Sequence, residues 1–206
     1  MPVYAFGDLV PVVSPQAYVH PLACLIGDVV IGAGCYVGPF ASLRGDFGRI
    51  ELEEGSNVQD NCVMHAFPDQ AAVIERDGHI GHGVVLHGCR IGRGALVGMG
   101  AVVLDGARVG VESFVGAQSL VPADFVVADR WLVAGVPARP RRPLTPGEIA
   151  WKANGTRVYQ DLAHRCRTSL REVEPLTSVP PDRPATPPAG PSAVPLRAHR
   201  DRSTGG

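Results

Sequence analysis

A six-residue beat runs through this chain. Val13, Val19, Leu25, Ile31, Val37 and Leu43 mark one run, and Ile91, Val97, Val103, Val109, Val115 and Val121 mark a second. All twelve positions are aliphatic, although hydrophobic residues make up only 45% of the sequence. Glycine often follows, at Gly32, Gly38, Gly92, Gly98, Gly110 and Gly116. A helical face repeats about every 3.6 residues and a half-buried strand about every two, so a period of six is neither. It marks a hexapeptide-repeat β-helix. Each hexapeptide supplies a short strand and a corner, three make one coil of a triangular prism, and the aliphatic residue points inward. Such coils are left-handed, against the usual right-handed crossover. The expected fold class is therefore all-β, a left-handed parallel β-helix followed by a C-terminal α-helix.

The repeat occupies residues 10–137 of a β-helix domain spanning 1–143. Residues 66–79, with Phe67-Pro68-Asp69 and Arg76-Asp77-Gly78, break the beat and predict a protruding loop. Arg139-Pro140-Arg141-Arg142-Pro143 predicts a stiff link. A helical unit at 144–176 starts at Thr145-Pro146-Gly147-Glu148, where Thr is the cap, Pro sits in the first turn and Glu lies three residues on. Val158, Leu162, Cys166 and Leu170 predict its apolar stripe, and Asn154-Gly155 a kink or division. Residues 177–206 hold seven prolines and little aliphatic content, which predicts a disordered tail.

Composition excludes several roles. The formal net charge of −1 gives no surface for nucleic acid. There is no apolar run long enough to span a membrane and no basic-then-apolar leader at Met1-Pro2-Val3-Tyr4. Five cysteines, none in a Cys-x-x-Cys pair, predict reduced thiols and a cytoplasmic protein. Cys35, Cys62 and Cys89 fall in small-residue slots of the repeat and read as core filler.

The register also says which histidines can meet. His65 follows the inward Met64 and His87 follows the inward Leu86, so both hold one slot in neighbouring coils. Adjacent strands lie about 5 Å apart, which lets two imidazoles share a metal. His82 is separated from His87 by roughly 16 Å of extended chain, too far for both to reach one ion at about 2.1 Å. His82 is therefore expected on another face, where a threefold assembly could use it to complete a neighbour's site. The plainer reading is three solvated surface histidines. His79 and His20 lack a partner in register and read as ordinary surface groups. Alone, Arg44-Gly45-Asp46 and Asn57-Val58-Gln59-Asp60-Asn61 read as a turn or a subunit salt bridge.

Taken together, Arg44-Gly45-Asp46, Asn57-Val58-Gln59-Asp60-Asn61-Cys62-Val63-Met64-His65 and Gly81-His82-Gly83-Val84-Val85-Leu86-His87 resemble the γ-class carbonic anhydrase family over residues 1–176. The flanking Ser42–Ile50 string and Ala150-Trp151-Lys152 are similar to the branch of that family formed by the phenylacetic acid degradation protein PaaY and the carnitine-operon protein CaiE, with PaaY favoured. The resemblance implies a homotrimer with shared metal sites. Zn²⁺, or Fe²⁺ or Co²⁺, would be held by His65 and His87 of one subunit and His82 of the next. Arg44 and Asp46 would organise the site. Gln59 would hydrogen-bond the nucleophile at the metal, with Asn57 and Asp60 beside it, and Tyr159 would approach from the helix. Phe67 offers a surface for an acyl group. Fast anhydrases of the family carry a Glu where this chain has Phe47, so proton export during CO₂ hydration lacks its carboxylate. The implied activity is a metal-dependent acyl-CoA thioesterase of phenylacetate catabolism. Its rivals are a weak γ-type carbonic anhydrase, a hexapeptide acyltransferase and a non-catalytic carnitine-operon-like scaffold.

Truncation after Leu176 is expected to leave melting temperature and activity unchanged, because the tail has too little apolar content to pack. Calorimetry on the truncated protein checks this, and a large drop in melting temperature would refute it.

Overall fold

The structure is a computed structural model and describes residues 2–185. It is a left-handed parallel β-helix of about seven turns with one C-terminal helix. Strands stack coil upon coil in two sheets, one of twelve strands and one of eight. Leu25 pairs with Leu43, Val97 with Val115 and Val115 with Val133, each one coil further on. The inward aliphatic side chains form one continuous core, from Leu25 and Ile31 through Val121, Val127 and Val133. This is the ladder expected from the six-residue beat.

The beat does not stop in the middle of the chain, as the sequence reading supposed. Leu52, Val58 and Met64 keep it, as do Ile74, Ile80 and Leu86, and each is at most 1% exposed. What changes is phase. Nine residues separate Leu43 from Leu52, ten separate Met64 from Ile74, and five separate Leu86 from Ile91. Extra or missing residues at a corner leave the prism intact, because only inward side chains must stack. Residues 66–79 are thus not one loop. Ala71–Ile74 is a strand between Ser42–Leu52 and Arg90–Ile91, with Ala72 and Ile74 in the core. Within this stretch only 67–70 and Arg76 stand exposed. Two long strands, Cys24–Ile31 and Ser42–Leu52, run around a corner together. Gly45 permits this, since a Cβ there would lie 2.3 Å from the Asp28 carbonyl oxygen.

The expected link at 139–143 is instead a strand, Ala138–Pro143, antiparallel to Trp131–Gly135. Its prolines are tolerated because it is an edge strand, where missing N–H groups break no further ladder. The helix α1 covers Pro146–Ser169 without division at Asn154-Gly155. Thr145 and Glu148 form the expected capping box, and Glu148 also takes two bonds from the Arg142 guanidinium at 2.7 and 2.8 Å. The buried face differs from the predicted stripe. Glu148, Lys152, Thr156 and Ala163 face inward, while Leu170 is exposed beyond the helix. Capping and ion pairs at Glu148 set the rotation of α1, and Ala163 with Tyr159, Leu162 and Cys166 packs on Tyr18 and Tyr36. Among the described residues all five cysteines are free; Cys35, Cys62 and Cys89 are buried, and burial pushes their thiols up. No helix among the described residues is long and apolar enough to cross a membrane. Of the predicted tail, residues 186–206 lie outside the described residues and 177–185 are mostly exposed without helix or strand.

Ile74→Ala is expected to destabilise the protein by about 2–5 kcal/mol in chemical denaturation, as a filled core slot becomes a cavity. Gly155→Ala should stabilise it by about 0.5–1 kcal/mol, because a Cβ there meets nothing within 4 Å. If Ile74→Ala were neutral, 66–79 would behave as the loop first expected.

Candidate functional site

Strand pairing brings two of the three predicted metal histidines together. His65 ends the strand Val63–His65, His87 ends Val85–His87, and the two are partners in register. His65 Nδ1 lies 3.0 Å from His87 Nε2, and the ring centroids are 5.0 Å apart. The 22-residue separation is taken up by the corner insertion after Met64.

The remaining ring nitrogens face carboxylates. His65 Nε2 is 3.1 Å from Asp46 Oδ1, and Asp46 Oδ2 accepts from Arg44 Nη1 at 2.6 Å. Partial burial works against the charged form of Asp46. Hydrogen bonds from Arg44 and His65 outweigh it and hold the carboxyl below its usual range. Asp46 thus bridges Arg44 and His65. His87 Nδ1 is 2.6 Å from Asp105 Oδ1. Asp105 was missed by sequence reasoning; its signal was its place one coil beyond His87. Gly88 lets this carboxylate approach, for a Cβ there would meet Asp105 Oδ1 at 2.4 Å with φ at +50°. His82 sits on the turn after His79–Ile80, and its Nδ1 lies 3.0 Å from Asp60 Oδ2.

An ionised carboxylate only accepts, so it fixes the proton of each ring. The ring proton sits on Nε2 of His65 and on Nδ1 of His87 and His82. The lone pairs left over are at His65 Nδ1, His87 Nε2 and His82 Nε2. Two such lone pairs 3.0 Å apart repel each other unless a proton or a cation lies between them. Carboxylate–imidazole pairs of this kind orient ligands of divalent transition metals. Among the described residues, no three such side chains converge within one chain.

Two exposed aromatic rings flank the pair. The Phe47 ring is 5.4 Å from His65, with the Arg44 guanidinium carbon 5.9 Å from the ring centroid, and Phe67 is 4.8 Å edge-on to His87. Phe67 thus lies beside the histidine pair.

Asn57, Gln59 and Tyr159 do not join this pair within one chain. They gather on the eight-stranded sheet around His79, beside the coil corner that carries His82. Gln59 Nε2 donates to Asn57 Oδ1 at 3.1 Å and lies 2.8 Å from His79 Nε2. The Tyr159 ring stands perpendicular to His79 at 5.2 Å. His79 is therefore no ordinary surface histidine. The helix α1 covers it, and burial, reinforced by the Lys152 and His82 charges, pushes it down to about 3. No periodicity could have revealed this, because the covering residue lies about eighty positions away.

With this geometry in view, kinship is clear. The carnitine operon protein CaiE of Citrobacter koseri is 58% identical over 184 residues, covering 89% of this chain and 93% of that protein. The chain belongs to the CaiE family. Among solved structures, a Bacillus cereus protein presented as an acetyltransferase superposes with a TM-score of 0.80 at 30% identity, over 81% of this chain and 96% of that one. A hexapeptide transferase family protein from Anaplasma phagocytophilum gives 0.76 at 35% identity, over 79% and 96%. No family model matches the chain. Of the two names that the sequence suggested, these relatives carry CaiE; neither PaaY nor phenylacetate is named among them.

His79 makes stability pH-dependent in a defined direction. Its folded value lies below that of the unfolded chain, so between about 6.5 and about 3 the unfolded state binds the extra proton. Stability should fall as pH drops through this window. In His79→Gln the acid slope of denaturation midpoints should flatten; an unchanged slope would refute the buried neutral ring.

Proposed function

We propose that this CaiE-family protein is a metal-dependent homotrimer that hydrolyses an acyl-CoA thioester. One observation carries the reading: three histidines each hold one ring nitrogen against their own carboxylate, which leaves the other nitrogen to ligate, and two of these lie 3.0 Å apart. His65 and His87 would hold the ion together with His82 of the partner subunit. Bound zinc supplies a Lewis acid and lowers the pKa of a coordinated water to about 7. Asp46, Asp105 and Asp60 keep the three rings in the ligating tautomer. Gln59 and Asn57, held by His79 and carried beside His82, would enter the shared site from the partner subunit and offer hydrogen bonds to the reacting groups. Phe47 and Phe67 would seat the acyl group.

The name of the relatives favours a carnitine-like acyl group over phenylacetyl. The aromatic pair suits this too, since ring faces attract quaternary ammonium groups. CO₂ hydration fits less well, because the resemblance places a proton-exporting Glu where this chain has Phe47. An acyltransferase is the second reading, favoured by the transferase-type fold relatives. It shares the thioester but needs an acceptor amine or hydroxyl.

Thiol release by zinc- and cobalt-loaded protein tests the proposal, using thioesters with trimethylammonium and phenyl acyl groups, alongside CO₂ hydration. Hydrolysis is expected without acceptor, with the trimethylammonium substrate preferred. Asp105→Ala should weaken metal binding by about 10–100-fold while leaving the fold intact. Mixing His82→Ala subunits with His65→Ala/His87→Ala subunits should restore some intact sites. CoA release only when an acceptor is added would establish the transferase reading, and a zinc-saturated monomer would end the shared site.

A further inference from the structure

A cleft of about 330 Å³ lies where α1 crosses the coil corners, lined by Lys152, Thr156 and Arg157 of the helix and by Arg93, Asp77 and Glu112 below it. Lys152 is only 4% exposed. Its Nζ donates to the Asp77 backbone oxygen at 2.5 Å, and among the described residues it has no carboxylate within ion-pair distance. An ammonium buried on a carbonyl alone is poorly compensated. Burial pushes it down to about 8, and the more distant charges of Asp77 and Glu112 offset this only in part. One helical turn on, Thr156 presents a buried hydroxyl oxygen with no hydrogen-bond partner. The two carboxylates of the cleft are engaged elsewhere. Asp77 Oδ1 accepts from Gln160 at 2.9 Å and Glu112 Oε2 from Arg130 at 2.8 Å. Arg93 bonds only through its backbone, to Glu75 and Glu112, and the Arg157 side chain bonds only to Asn154. Both guanidinium groups are thus free of acids among the described residues.

We infer that this cleft binds the oxyanion group of a small soluble metabolite, a phosphate or a sulfate-like group, on Lys152 and Thr156 with Arg93 and Arg157 at its mouth. Charge-assisted bonds from ammonium and guanidinium are the strong form of phosphate recognition. The anion would supply the counter-charge that Lys152 lacks and an acceptor for the Thr156 hydroxyl. Nothing in this inference depends on the histidine site.

Calorimetric titration of the full-length protein with sodium sulfate, against sodium chloride at equal ionic strength, tests it. Sulfate keeps one charge state from pH 7 to 9, so the protein alone sets the pH dependence. Saturable binding of one sulfate per chain is expected. It should weaken several-fold from pH 7 to 9 as Lys152, which faces Asp77, Glu112, Arg93 and Arg157 in the cleft, loses its proton and His79 stays neutral. Lys152→Met should abolish binding, and Thr156→Val should weaken it. Arg93→Gln/Arg157→Gln, which alters only exposed side chains, should weaken binding at least about fivefold and guards against a folding defect in Lys152→Met. Arg49→Gln, remote and paired with Asp28, should bind like the parent protein. Competition by coenzyme A but not by 3′-dephospho-coenzyme A would assign the oxyanion to the nucleotide end of a thioester; sulfate binding without competition would assign it to a separate metabolite. Absence of saturable sulfate binding, or binding that survives the double arginine variant, would overturn the inference. Loss of thioester hydrolysis with sulfate binding retained would overturn the proposed function alone.

Discussion

A coil of a triangular prism closes only when its inward side chains meet those of the coils above and below. In this protein that contact is aliphatic on aliphatic along the whole axis, with Leu43 on Met64, Met64 on Leu86 and Leu86 on Val103. Every other feature hangs on this stacking. It holds the strand ends in register, and register places His65 directly beside His87. A shift of one residue would turn both imidazoles to another side of the wall. The core thus positions the histidine pair without touching the chemistry.

The corners absorb variation that the core cannot. Extra residues after Leu43 carry Arg44, Asp46 and Phe47 outward beside His65, and extra residues after Met64 raise Phe67 over His87. The shortened corner after Leu86 brings Gly88 against Asp105, the carboxylate that holds His87. Each departure from the repeat therefore delivers one element of the candidate site. Repetition supplies the rigid wall, and its interruptions supply the functional groups.

The single helix has a second task. Its capping box and the Arg142 pair fix its start, and its inward face is unusually polar, with Lys152 and Thr156 buried. It covers His79 and delivers Tyr159 to it, so the Gln59–Asn57–His79 group is closed off from water on one side. A cluster of this kind, with an imidazole held neutral near pH 7 by burial, suits hydrogen bonding rather than proton transfer.

The sequence by itself determined the β-helix, its handedness class, the helix start at Thr145 and the meeting of His65 with His87, because all of these follow from local periodicity or capping. It also told that His82 must face elsewhere, since extended chain has a fixed reach. It misjudged 66–79, since reading one phase of the beat hides a strand that resumes in another phase. It also misjudged the 139–143 segment, whose antiparallel pairing is a tertiary choice open to an edge strand. Asp105 beside His87, the burial of His79 and the rotation of α1 were decided only by tertiary structure. Each depends on two segments distant in sequence approaching through space, and no spacing along a chain records the field or the solvent exclusion that one segment imposes on another.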